Sequence, residues 1–342
     1  MSAIEVEGLT KAYGELLAND DVTFSVAEGE VFGYLGPNGA GKTTTIRTLL
    51  GFQSPTEGSA TVLGHDVTDE PELIAAKRRV GYLPASPAFD ETVTGREVLD
   101  FHESVKGGSR RGDLLDVFDP PLSRPIREYS TGNVQKLGIV QAFMHDPDLV
   151  IMDEPTSGLD PLMQREFNEH LRAETERGLT ALLSSHVLSE VRRVCDRVGI
   201  LRAGRLATTE RVADLLGRTG KVVRAHVAGA HDPAAFDLPG AHDVTCSTMR
   251  GYGDRDADGP VTEVTFTYTG EVDALVERLG AFHFLDLAVE EAPLEDVFMR
   301  FYGDDADAVA PDPGSADTAD GPDDAVDDRD SRPGSAGGGR DA

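Results

Sequence analysis

Two short stretches of this chain could do phosphate chemistry. The first runs Gly36-Pro37-Asn38-Gly39-Ala40-Gly41-Lys42-Thr43, with Thr44 directly behind it. Its glycines free the backbone to turn N–H groups toward one point, next to the start of a helix, and such a cradle attracts phosphate oxygens. Lys42 would then reach the β- and γ-phosphates, and the Thr43 hydroxyl would hold Mg2+. The second stretch, LVIMDE at residues 149–154, is an apolar strand ending in two carboxylates. Asp153 is placed for the Mg2+ shell and Glu154 for polarising the attacking water as general base. An Asp-Glu pair alone is usually a solvated strand end. Behind a phosphate loop it reads as the other half of a nucleotide site.

These stretches need elements to carry them. Residues 1–218 alternate short β-rich runs with helical patterns, as α/β proteins do. Strands are expected at residues 4–9, 22–26, 30–35, 80–83, 149–152, 179–184 and 198–201, and a helix at 43–50. Residues 86–147 read as mostly helical, with Thr94 and Glu97 spaced for a capping box. Residues 222–301 form a separate small α+β unit, with strands at 222–227 and 261–268, a turn-rich loop at 251–259 and a helix at 271–279. Residues 303–342 carry 12 Asp and 3 Arg, a net charge of −9. With so little apolar surface to offset ordering entropy, this acidic tail is expected to be disordered.

Composition narrows the function. Across 342 residues, 61 Asp and Glu face 32 Lys and Arg, so nucleic acid is not an expected partner, since phosphate neutralisation needs a basic face. Abundant Asp with only six Lys fits a halophilic protein kept soluble by charge. Cys195 and Cys246 are the only cysteines, so a disulfide framework is not expected. No apolar run reaches the ~18 residues of a membrane span, so membrane work would need a separate subunit.

With these motifs in order, the chain resembles the ATP-binding subunits of ABC transporters, closely over residues 1–218. Tyr13, in Lys11-Ala12-Tyr13-Gly14, matches the aromatic residue that stacks on adenine. Ser130-Thr131-Gly132-Asn133 matches the signature loop, whose Ser130 and Gly132 face the γ-phosphate bound by a partner subunit. Ser157-Gly158-Leu159-Asp160 matches the loop at the dimer interface, and His186, 32 residues past Glu154, matches the switch histidine. The resemblance implies an ABC-type P-loop NTPase fold with a helical subdomain. It also implies ATP and Mg2+ as cofactors, and a homodimer or heterodimer of ATP-binding subunits. A polytopic membrane permease, contacted near residues 86–120, would hold the chain peripherally on the cytoplasmic face. The closing stretch 291–298, like the exporter-type tail, favours export. The rival is a soluble ABC-type ATPase with a regulatory or assembly role.

Two sites depart from the family pattern: the signature, where Thr131 and Asn133 replace the usual Gly and Gln, and Ala85. Thr131 stands where a glycine is usual; were φ positive there, its branched side chain would be strained. Ala85 stands where the family places a Gln or Glu that senses metal and water, and Ala has no group to coordinate either.

Overall fold

The computed structural model describes residues 1–185, 187–250 and 259–291. His186, most of the loop at 251–259, the closing stretch after Glu291 and the acidic tail lie outside the described residues.

The chain opens as an antiparallel hairpin of β1 (Ser2–Tyr13) and β2 (Leu16–Ala27). Both strands outrun their apolar middles, because their polar ends keep pairing: Tyr13 still faces Leu16. The next strand, β3 (Val31–Leu35), is buried at every position and runs into the phosphate loop. Helix α1 (Lys42–Leu49) follows. Three consecutive threonines are poor helix formers, but Ile46 and Leu49 are buried and Thr48 Oγ1 donates to Thr44 O at 2.9 Å. Tertiary packing therefore holds this short helix. Strands β4 (Glu57–Val62) and β5 (His65–Asp66) complete a sheet of order β2-β1-β4-β5. Helix α2 (Glu70–Lys77), N-capped by Asp69, leads to β6 (Val80–Leu83).

A helical block follows: α3 (Gly95–Lys106), α4 (Arg111–Phe118) and α5 (Thr131–Phe143). Thr94 and Glu97 make the expected capping box, a feature worth about 1 kcal/mol. Arg110 makes two 2.9 Å bonds to Glu174, tying the block to the neighbouring core. Helix α5 lies directly on β6: a Cβ at Gly81 would sit 2.1 Å from Ala142 O.

The chain returns through β7 (Leu149–Asp153), α6 (Pro161–Glu176), β8 (Thr180–Ser185), α7 (Leu188–Val194), β9 (Arg197–Arg202), β10 (Arg205–Arg211) and α8 (Val212–Thr219). The central sheet has order β10-β9-β3-β8-β7-β6, all parallel except β10. Alternation on each strand feeds two cores. Phe32, Tyr34, Ile151 and Leu182 pack toward the antiparallel sheet and α1. Val31, Leu35, Val150 and Leu183 pack toward α5 and α6. The registers Leu35↔Ser185 and Asp153↔Ser184 bring the carboxyl ends of three parallel strands to one edge, where α/β sheets hold ligands.

Strands β11 (Lys221–Ala228), β12 (Ala241–Arg250), β13 (Pro260–Tyr268) and β14 (Phe284–Glu291), with helix α9 (Val272–Leu279) before the last, make an antiparallel sheet of order β12-β13-β11-β14. It has its own core, in which Phe236 and Phe282 stack at 4.7 Å. An Arg192–Glu291 ion pair links α7 to β14.

Candidate nucleotide site

The edge where β3 and β7 end opens a cleft of about 450 Å3. Tyr13, Pro37, Asn38, Gly39, Gly41, Lys42, Thr43, Thr44, Asp153 and Glu154 line it, with Leu16, Ala18 and Ala85. Gly36 and Ala40 sit on the loop's inner side: a Cβ at Gly36 would lie 2.6 Å from Leu201 O, and Ala40 is buried. Gly39 and Gly41 take φ of 82° and 107°, a region other residues rarely adopt. Those turns aim the loop's backbone into the N-terminus of α1, where N–H groups lack intrahelical partners and favour anions.

Lys42 is buried, and its ammonium donates to Gly36 O at 2.5 Å and Pro37 O at 3.2 Å. Burial pulls its pKa below the usual lysine value, and the Glu154 and Asp153 carboxylates oppose that fall. Thr43 Oγ1 donates to Asp153 Oδ2 at 3.1 Å, and Ser184 Oγ donates to Asp153 Oδ1. Asp153 is 6% exposed, so these hydroxyls fix its direction. Glu154 turns out of β7 with φ of 49°, its N–H donating to Ser184 O at 3.1 Å. A non-glycine residue held in that region stores local strain, a feature that clusters at functional sites.

Ser130, Gly132 and Asp160 stand apart from the residues that line this cleft. Ser130 N-caps α5, accepting from Asn133 N at 3.3 Å, and Asp160 N-caps α6, accepting from Leu162 N and Met163 N at 3.0 Å. A Cβ at Gly132 would lie 3.0 Å from Gly158 O, so the backbone at the start of α5 closely approaches that of the 157–160 turn. Thr131 is the first residue of α5 and is absent from the positive-φ set, so the strain considered from sequence does not arise. Its methyl rests on Gly158, where an added Cβ would come within 2.9 Å of Thr131 Cγ2. Thr131→Gly is therefore expected to change ATP turnover by less than tenfold, measured by phosphate release at saturating ATP.

Several supporting residues carry no sequence signal. Ser184 orients Asp153, and buried Gln135 donates to Pro155 O at 2.7 Å, tying α5 to the turn after Glu154. Asn19 on β2 donates to Thr45 Oγ1 at 3.1 Å under the phosphate loop. Gln53 reaches from beyond α1 to accept the Tyr13 hydroxyl. Their partners lie far off in the chain, and the packing of strands, helices and turns brings them together. A larger cavity, about 810 Å3, opens where β3 and β9 begin. Three of its arginines are already engaged, Arg172 with Arg193 O, Arg192 with Glu291 and Arg197 with Glu30.

Comparison with known proteins agrees with this geometry. A family model described as ABC transporter matches residues 19–157. The Nod factor export ATP-binding protein I of Mesorhizobium japonicum is 34% identical over 311 residues, 88% of this chain and 87% of that protein. The daunorubicin resistance ATP-binding protein DrrA3 of Streptomyces coeruleorubidus is 34% identical over 89% of this chain and 97% of its own length. The bacitracin transport ATP-binding protein BcrA of Enterococcus faecalis is 31% identical over 88% and 96%. Among solved structures, an ATP binding subunit of an ABC transporter superposes with a TM-score of 0.59 at 34% identity, covering 64% of this chain and 93% of that one. A dimeric ATP-binding cassette bound to ADP and phosphate has a TM-score of 0.57 at 22% identity, a likeness of fold.

Proposed function

This chain belongs to the family of ABC transporter ATP-binding subunits, and from that membership we propose that it works as a head-to-tail dimer which binds ATP with Mg2+, hydrolyses it through Glu154, and drives a separate export permease. The observation that carries this reading is the division of the motifs. Lys42, Thr43, Asp153 and Glu154 share one cleft, while Ser130, Gly132 and Asp160 lie outside it. A second subunit's loop over the cleft would complete the site. The Ser130 and Gly132 end of α5, a helix N-terminus, would then face the γ-phosphate.

In this reading Tyr13 stacks on adenine, and the backbone N–H groups along residues 36–44, which Pro37 lacks, hold the phosphates together with Lys42. Glu154 takes a proton from water as its oxygen attacks the γ-phosphorus, the bond to the β-phosphate oxygen breaks, and ADP and phosphate leave. His186, next after Ser185 in the sequence, contacts the γ-phosphate. Thr43 Oγ1 and Asp153 are hard oxygen donors suited to Mg2+, which when bound neutralises phosphate charge. Tighter ATP binding to the closed dimer shifts the closure equilibrium, and hydrolysis releases it. The cassette corresponds to residues 1–218 with its helical part at about 86–147, the accessory unit to 222–301, and the tail to 303–342.

Among the described residues no helix is long and apolar enough to cross a membrane. We therefore assign the membrane path to a polytopic permease and place this chain peripherally on its cytoplasmic side, homodimeric or paired with a related subunit. The formal charge of −29 argues against nucleic acid as the partner. The relatives' names, which speak of Nod factor export, daunorubicin resistance and bacitracin transport, support export. The best-suited contact surface lies on the helical block beside α1 and α2. Phe52 lines a cleft of about 250 Å3 with Lys77, Lys106, His102 and His145, and exposed Phe101, 65% accessible, packs edge-on against His102. Burial pushes His145 down to about 4, so the two lysines supply the charge. Tagged protein is expected to co-purify with a polytopic membrane subunit. Phe101→Asp should lose that partner while binding ATP within twofold of the parent. If the parent recovers no membrane subunit, a regulatory or assembly ATPase is the better reading.

A further inference from the structure

We infer that Gln53 is a positioning residue for adenine: it straps the Tyr13 ring to the first turn of the phosphate helix, so base and phosphates are held in one register. The inference rests on the reading of Tyr13 as the adenine platform. Tyr13 is 46% exposed, so little packing restrains its ring. Hydrogen bonds take that part. Past the end of α1, Gly51 takes φ of 62° and Phe52 N donates back to Arg47 O at 2.8 Å, which turns the chain toward the β1–β2 hairpin. Gln53 Nε2 then donates to Thr44 O at 2.9 Å and Thr48 Oγ1 at 3.1 Å, while its Oε1 accepts the Tyr13 hydroxyl. The Thr44 carbonyl only accepts, which fixes the amide's orientation.

The residues after Gln53 brace the same hairpin end. Lys11 Nζ donates to Ser54 O at 2.8 Å and lies 5.3 Å from the Tyr13 ring centroid. Ala12 N donates to Thr56 Oγ1 at 3.0 Å, and Thr56 N donates to Thr10 O at 2.8 Å. Thr44 is itself a cleft residue, so one amide joins the base platform to the phosphate cradle. Holding an aromatic side chain in its bound position before the ligand arrives removes an ordering cost that would otherwise weaken binding about three- to tenfold.

The test compares ATP with inorganic triphosphate, which lacks the base, by titration calorimetry on the full chain. Gln53→Leu should weaken ATP about three- to tenfold and leave triphosphate within twofold, with kcat at saturating ATP unchanged. Tyr13→Phe, which removes only the hydroxyl, should weaken ATP by a similar factor and leave triphosphate within twofold, and the double variant should be no weaker than either single one. Equal weakening of ATP and triphosphate, an additive double variant, or unchanged ATP affinity in Gln53→Leu would each overturn the inference. If Gln53→Leu does not fold, Tyr13→Phe decides alone, and unaltered ATP affinity there overturns it. Tyr13→Ala separates the two levels. If it leaves ATP affinity unchanged, the platform reading fails and the strap with it. If it weakens ATP while Gln53→Leu does not, only the strap fails.

Discussion

Glu154→Gln is expected to lower ATP turnover by about a hundredfold or more while leaving ATP affinity nearly unchanged. The substitution keeps the shape of the side chain and removes the group that, in the proposed mechanism, accepts the water's proton, a contribution of typically 10²–10⁴-fold. Glutamine also fits the backbone: Glu154 sits at φ of 49°, a strain that any non-glycine side chain shares, and its N–H bond to Ser184 O is unaffected. The cleft around Lys42 therefore stays intact. Since hydrolysis is what reopens the dimer in the proposed cycle, the variant should accumulate as an ATP-bound dimer. Light scattering with and without ATP reads that state, and phosphate release reads turnover. Turnover within threefold of the parent would remove Glu154 as the base.

How far sequence reveals such a site depends on how local its geometry is. Residues 36–44 form one continuous segment, a loop running into the first turn of α1, so their spacing alone shows a phosphate cradle, and the strand–loop–helix order is found as expected. Thr94 with Glu97 is legible for the same reason, because a capping box is complete within four residues. The apolar run 149–152 announces β7, since a parallel strand buried on both faces needs no alternation. What escapes is non-local. Ser184 meets Asp153 only through the β7–β8 register, and Gln53, in the turn after α1, meets Tyr13 at the far end of β1. Strand β4 carries Glu57, Gly58 and Ser59 before its first buried residue, and pairing with β1 overrides that weak propensity. Asp160 shows a different difficulty: its side chain is already satisfied as the cap of α6. Its local chemistry thus accounts for the residue type without reference to a partner subunit.

Gly41→Ala is expected to cost more ATP affinity than any other single methyl added to the phosphate loop, on the order of a hundredfold. Gly41 N-caps α1 at φ of 107°, a conformation that costs a residue with a Cβ roughly 1–3 kcal/mol. The new carbon would also lie 2.3 Å from Ala18 O and 2.8 Å from Asn19 Nδ2. The first is backbone of β2, and the second is a buried amide already donating to Thr45 Oγ1, so neither can yield cheaply. Overpacking of that kind adds about 1–3 kcal/mol. Together the two penalties come to roughly 2–6 kcal/mol, against the ~2.8 kcal/mol that corresponds to a hundredfold in affinity, and the loop relieves them by leaving the shape that gathers its N–H groups. Gly39→Ala is the matched control. It has a similar φ of 82°, but nothing lies within 4 Å of its added carbon. It should lose only the conformational part, on the order of tenfold. Calorimetric titration of both variants with ATP, alongside far-ultraviolet circular dichroism to show that the fold is kept, measures the difference. Equal losses in the two would show that φ alone matters and that the contact with β2 does not shape the loop.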